Sequence, residues 1–304
     1  MTTAVYETSQ IKRRRSTKAE VEVRREALLD IIDDGKPMTV RQVFYQATVC
    51  GLVEKAETGY SKVQTDLTLM RRNGVLPYDW LADNTRWQRK PRTFNSVEDA
   101  LKATAAFYRK NLWADADCYV EIWLEKDALA GVIYPITSMY DVPLMVARGY
   151  ASLSFLYSAA GVIDQLGLEC SIPTYIYHFG DFDPSGVNAG EKIEETLREM
   201  APNAEIHFER IAVTEEQIAE WNLPTRPTKA SDTRSKGFGN ISVELDAIEP
   251  NRLRALVQET IEQHLPPDQF AVLKVAEKSE REIIGRLVGS FNQKPYGYDE
   301  EADE

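Results

Sequence analysis

The sequence predicts an α/β protein preceded by a helical module, and three observations carry that expectation. Residues 18–74 hold three segments of helical apolar spacing. From about residue 115 short β-rich runs alternate with helical stretches, and the charge changes sign between the two regions. Residues 1–95 carry a balance of +5 and the remainder −17, within a net charge of −12 over 304 residues. Such asymmetry is the pattern of a basic binding module joined to an acidic one. The length allows two ordinary domains, and 43% apolar content can supply a core for each.

Residues 1–17 read as a basic arm containing Lys12 to Arg15, with no apolar stretch behind it, so no secretory leader is expected. Lys18 to Asp33 set Val21, Leu28, Leu29 and Ile32 at helical spacing, and Gly35 and Pro37 stop that helix. Thr39-Val-Arg-Gln42 fits a capping box that opens a second helix, and Gly51 stands where the chain leaves it. Ser61-Lys-Val-Gln64 has the same form. It predicts the start of a third helix running to Asn73-Gly74, with Val63, Leu67 and Met70 inward and Lys62, Thr65, Thr68, Arg71 and Arg72 outward.

Three short helices, the third one basic, lead into Leu76 to Arg92 with Arg86, Trp87, Arg89, Lys90 and Arg92. Together they predict a winged helix-turn-helix over residues 18–92, in which Lys62, Arg71, Arg72, Arg86, Arg89 and Lys90 meet the phosphates of duplex DNA. The alternative is an ordinary helical domain with a solvated basic face. Residues 93–114 read as a linker.

Over residues 115–291 the strand-forming runs are Cys118 to Leu124, Val142 to Ala147, Thr174 to Phe179 and Ile206 to Val213. Ala128 to Ile136, Ser152 to Leu166 and Val187 to Met200 lie between them as helices, an alternation that implies parallel pairing. Pro224 to Asn240, with Arg226, Lys229, Arg234 and Lys236, reads as a mobile basic loop. Helices follow at Arg252 to His264 and Pro267 to Val288. Residues 292–304 read as an acidic disordered tail.

No apolar run approaches the roughly 20 residues of a membrane span, and a cytoplasmic protein is expected, nucleoid-associated if its source is bacterial. Cys50, Cys118 and Cys170 are odd in number and show no ligand spacing with His178, His207 and His264. They read as reduced cysteines filling small apolar spaces. The phosphate loop of an ATPase is absent from the sequence.

In an open parallel sheet, ligands gather beyond the carboxyl ends of the strands near the switch in strand order. Glu125 closes one strand, and Asp181 and Asp183 follow directly on another. Carboxylates at i and i+2 share a side, and a third from a neighbouring strand would complete an oxygen cage for Mg²⁺. Pro184-Ser185-Gly186 turns the chain into a helix, with Ser185 expected as N-cap. Glu244 and Asp246 alternate with apolar residues and read as the exposed face of a strand; support of the metal is the alternative.

Leu124-Glu125-Lys126-Asp127-Ala128 and Gly180-Asp181-Phe182-Asp183-Pro184-Ser185-Gly186 resemble the Glu-Lys and Asp-x-Asp-Pro-x-Gly segments of the Toprim domain. Within that group the resemblance is to the A subunit of topoisomerase VI and the meiotic double-strand-break transesterases. Ala147-Arg148-Gly149 falls at those proteins' Gly-Lys-Gly turn, with Arg148 in place of lysine and a role toward phosphate. Their catalytic tyrosine lies on a winged helix in the form Arg-x-x-(Tyr/Phe)-Tyr, which Arg41-Gln-Val-Phe44-Tyr45 matches. On the second helix Arg41 and Tyr45 stand one turn apart, where a guanidinium would favour the phenolate. The other reading is that Tyr45 packs at the edge of the core.

The resemblance implies Mg²⁺-dependent DNA cleavage. Tyr45 is the nucleophile, Arg41 and Glu125 assist catalysis, and Glu125, Asp181 and Asp183 hold the metal. It further implies a homodimer that pairs the tyrosine of one protomer with the metal of the other, and a separate ATPase B-type subunit. The alternatives are a Toprim nuclease using water and a non-catalytic DNA-binding protein.

Overall fold

The computed structural model describes residues 16–82, 91–228 and 238–290, and the chain divides into two compact units, Met1–Leu81 and Ala82–Glu304. Lys12 to Arg15, the DNA-contacting candidates Arg86, Arg89 and Lys90, the loop cations Lys229, Arg234 and Lys236, and the acidic tail lie outside the described residues.

The first unit contains α1 (Lys18–Gly35), α2 (Val40–Val49) and α3 (Glu57–Arg72). Two capping boxes fix its helix starts. Thr17 and Glu20 exchange bonds at the head of α1, and Thr39 and Gln42 at the head of α2. Leu28, Ile32, Met38, Val43, Ala47, Val63, Leu67 and Met70 form the buried core. Arg24 and Arg25 of α1 hold the buried Asp66 of α3 at 2.8 and 2.9 Å.

The start predicted for α3 at Ser61 is wrong. The helix begins at Glu57 behind Ala56, which makes no side-chain cap, and Ser61 lies inside, its carbonyl accepting from Thr65 Oγ1 at 2.8 Å. Gly59 permits the earlier start, because a side chain there would overlap the carbonyl oxygen of Glu54. Arg71 does not face outward as expected: it donates to the carbonyls of Tyr78 and Leu81 at 2.7 and 3.2 Å. Lys62 reaches Glu54 at 3.4 Å, and Arg72 is exposed. Of the expected wing, residues 78–80 form one tight helical turn and Leu81 bridges to Met38 in parallel.

In the second unit the stretch expected as a linker contains α4 (Val97–Phe107), capped by Ser96 and packed on α10 (Pro267–Ser290). The sheet comprises β1 (Tyr119–Leu124), β2 (Leu144–Val146), β3 (Thr174–Phe179) and β4 (Ile206–Ala212), all parallel in the order β2-β1-β3-β4. The crossovers run through α5 (Ala130–Met139), α6 (Leu153–Cys170) and α7 (Pro184–Met200). This is the mixed α/β, parallel-sheet class that the alternation of strands and helices predicts.

Residues of alternate parity face opposite sides of each strand. Trp123 and Ile176 join Leu156, Ala160, Ile163, Ile193 and Leu197 under α6 and α7. Ile122, Leu124, Tyr177 and Phe179 are buried on the opposite face. There the Tyr177 hydroxyl lies 2.6 Å from His264, just past α9 (Pro250–Glu262), which packs on α5. Beyond β4 come α8 (Glu215–Glu220) and a two-stranded ribbon of β5 (Arg226–Pro227) and β6 (Ile241–Ser242). No described helix is long and apolar enough to cross a membrane. The cysteines depart from expectation: Cys118 is buried, but Cys50 and Cys170 are exposed.

Candidate functional site

β1 leaves the sheet for β2 on one side, while β3 leads on to β4 on the other. Their carboxyl ends are paired, Leu124 with Phe179, so the residues that follow emerge side by side at the switch in strand order. Glu125 and Asp181 are brought together there. The Asp181 N–H donates to Glu125 Oε2 at 2.9 Å. Gly180 and Gly186 make the approach feasible: a Cβ on Gly180 would stand 2.7 Å, and one on Gly186 2.9 Å, from that same oxygen.

Asp183 serves as the N-cap of α7, where Ser185 was expected. Its Oδ1 accepts from the N–H groups of Ser185 and Gly186 at 3.1 and 2.8 Å and from Ser185 Oγ at 2.7 Å. Pro184 takes the first helical position, where a missing N–H costs nothing. Asp183 Oδ2 is bonded by Arg226 at 3.1 Å.

Glu244 and Asp246 do not lie on an exposed strand face; they are 6% and 1% exposed. Val243 pairs with Phe182 through two backbone bonds of 2.8 and 2.9 Å, which lays the segment against the Asp-x-Asp turn, and Leu245 N–H donates to Asp181 Oδ1 at 2.8 Å. The chain then tightens into a helical turn at Leu245–Ala247, ending the alternation that the sequence suggested. The ammonium of Lys126 sits among these groups, 2.9 Å from Asp181, 2.7 Å from Asp246 and 3.3 Å from Glu244. Arg226 links Asp183 to Glu244, the latter at 2.8 Å. Lys126 and Arg226 were not singled out as site residues by sequence, although Lys126 stands beside Glu125 in the quoted segment.

Burial, followed by the nearby Asp181 charge, pushes the Glu125 carboxyl up to about 7. Asp181 is also raised by burial, which outweighs Lys126 and the Leu245 N–H. Burial pulls Asp183 upward too, but the Gly186 N–H, Ser185 and Arg226 together hold it below the ordinary carboxylate range. For Lys126, burial works against the charge, yet Asp246, Asp181 and Glu244 prevail and raise it.

Arg210 closes the floor by donating to the carbonyls of Gly180, at 2.9 Å, and of Asp181. His178 lies beside it, 1% exposed and with neither ring nitrogen hydrogen-bonded within the protein. Burial, then the Arg210 charge, depresses its pKa to about 3, so it is neutral.

Arg148, at the expected turn, has φ of +50° and is bonded to Asp127 at 2.7 Å with its side chain 61% exposed. In the first unit Tyr45 is only 5% exposed, its ring 5.4 Å from that of Phe44. Arg41 lies over the ring of Tyr60, 5.5 Å from its centre.

The donor chemistry of Glu125, Asp181 and Asp183, hard carboxylate oxygens beside a strand-end turn, suits a hard divalent cation. Among the described residues, however, no group of three or more His, Cys, Asp or Glu side chains converges as a metal cage. Asp183 is turned instead to its helix and Arg226. The chain matches no protein-family model, and comparison with curated proteins gives no significant match.

Proposed function

We propose that this protein is a Mg²⁺-dependent DNA-cleaving tyrosine transesterase, with a winged-helix unit resembling that of the topoisomerase VI A subunit and a Toprim-like second domain. The observation that carries the reading is the placement of Glu125 and Asp181 at paired strand ends on the sheet's switch point, with Glu125 raised to about 7. Glu125 and Asp181, joined by Asp183 when Arg226 releases it, would hold a Mg²⁺ that offsets charge on a phosphate oxygen.

Tyr45 attacks the phosphorus. A bond forms from its phenol oxygen, the bond to the departing sugar oxygen breaks, and the phenol proton passes to solvent. Glu125 would be ionised while it holds the cation, so the departing sugar oxygen takes its proton from solvent. Exposed Arg148 can exchange Asp127 for a DNA phosphate, and Lys62 and Arg72 bind the duplex backbone. Cutting both strands calls for two sites related by a two-fold axis, so a homodimer with sites shared between protomers belongs to this reading, as does a separate ATPase subunit for strand passage.

The burial of Tyr45 favours a second reading, in which a metal-activated water attacks and Tyr45 is structural. Detergent quenching of the protein with duplex DNA and Mg²⁺ separates the two. The first reading predicts a covalent protein–DNA adduct that Tyr45→Phe abolishes, and free DNA ends without an adduct would establish the second.

A further inference from the structure

The segment Arg41 to Tyr45 puts an arginine one turn of helix from the candidate nucleophile, and the folded first unit also brings a lysine to that tyrosine. The rings of Tyr45, Phe44 and Tyr60 form a row: Phe44 is tilted against Tyr45 at 5.4 Å and meets Tyr60 edge-on at 5.4 Å. A cation stands at each end. Arg41 lies over Tyr60 at 5.5 Å, and Lys55 lies over Tyr45 at 5.8 Å. Lys55 brings positive charge to the face of Tyr45 from the loop before α3, ten residues along the chain from Tyr45 and fourteen from Arg41.

Lys55 is held there by its backbone. The Ala56 N–H closes a turn on the carbonyl of Glu54 at 2.8 Å, and the first turn of α3 rests on the same carbonyl through Gly59, where no side chain fits. The Glu54 carboxylate is engaged elsewhere, by Thr58 at 2.7 Å and Lys62 at 3.4 Å. Lys55 itself is exposed while Tyr45 is buried, so a phosphate that reaches the phenol can meet the ammonium from solvent.

We infer that Lys55 is a positioning cation of Tyr45: it stabilises the developing phenolate and receives the phosphate under attack. This rests on the transesterase reading. Its reaction is a plain exchange of one phosphate ester for another. The Tyr45 oxygen–phosphorus bond replaces the sugar oxygen–phosphorus bond, the phenol loses a proton and the sugar oxygen gains one, and no electrons change hands.

The test measures single-turnover adduct formation by the full chain with saturating duplex DNA and Mg²⁺, and DNA affinity separately by fluorescence anisotropy. Lys55→Met should slow adduct formation on the order of tenfold, because an opposite charge at this range shifts an ionisation by about one unit. Affinity should fall far less, and Lys55→Arg should restore most of the rate. Lys55 is exposed and outside the core, so both variants are expected to keep the wild-type melting temperature, which is checked alongside. A wild-type rate in Lys55→Met, or no recovery in Lys55→Arg, overturns the assignment of Lys55 while leaving Tyr45 as nucleophile. Absence of any adduct in the wild type overturns both.

Discussion

At Glu125, burial and the Asp181 charge oppose ionisation, so folding favours the protonated carboxyl. An acid whose pKa rises from 4.5 to about 7 on folding stabilises the native state fully below its unfolded value. That contribution is lost as pH climbs through about 7, and at roughly 1.4 kcal/mol per unit it amounts to about 3 kcal/mol. Glu125→Gln mimics the protonated form. In metal-free buffer it should match the wild type in urea unfolding at pH 4.5 and exceed it at pH 8; an equal difference at both pH values would show that Glu125 does not titrate in this window. The sequence marked Glu125, Asp181 and Asp183 because they sit next to strands. It could not indicate that Asp183 spends one oxygen on the cap of α7, since cap geometry depends on where the chain turns. Nor could it show Lys126 among Asp181, Glu244 and Asp246, a cluster whose members lie up to 120 residues apart.

Among the elements, those specified by local chemistry are the ones that were legible. The capping box at Thr39 and Gln42 is a four-residue contract between side chain and backbone, and it forms with bonds of 2.9 and 3.0 Å. Thr39 is 3% exposed, so water cannot replace its oxygen. Thr39→Ala should lower stability by about 1–2 kcal/mol, at the upper end of the usual cap effect. Thr39→Ser should recover most of that loss, measured by the midpoint of urea unfolding. A fully stable Ala variant would mean that the cap does not anchor α2. The same four-residue form at Ser61 misled because it lies inside a helix whose true start depends on the Gly59–Glu54 contact. Helix α4 was missed for a related reason. Its apolar side has meaning only against α10, far along the chain.

Across the whole molecule, the charge division and the alternation of strands and helices were enough to foresee a helical unit followed by a parallel α/β sheet. The sheet's switch point followed from strand order, and strand order is not written in any one segment. The segment around residues 241–247 shows the limit most clearly. Its alternation suggested an exposed strand, whereas pairing of Val243 with Phe182 folds it over the Asp-x-Asp turn and buries both of its carboxylates. The site is thus walled by β1, β3 and this late segment, with Lys126 and Arg226 balancing part of its negative charge.

The carboxylate site at Glu125 and Asp181 is proposed to accept a divalent cation, and calorimetric titration of the full chain with Mg²⁺ at pH 8 tests that most directly. The wild type should bind Mg²⁺, and Asp181→Asn, which removes one ligand charge, should weaken binding about tenfold or more at unchanged fold. Equal affinity in the two proteins, or no binding by the wild type, would contradict it.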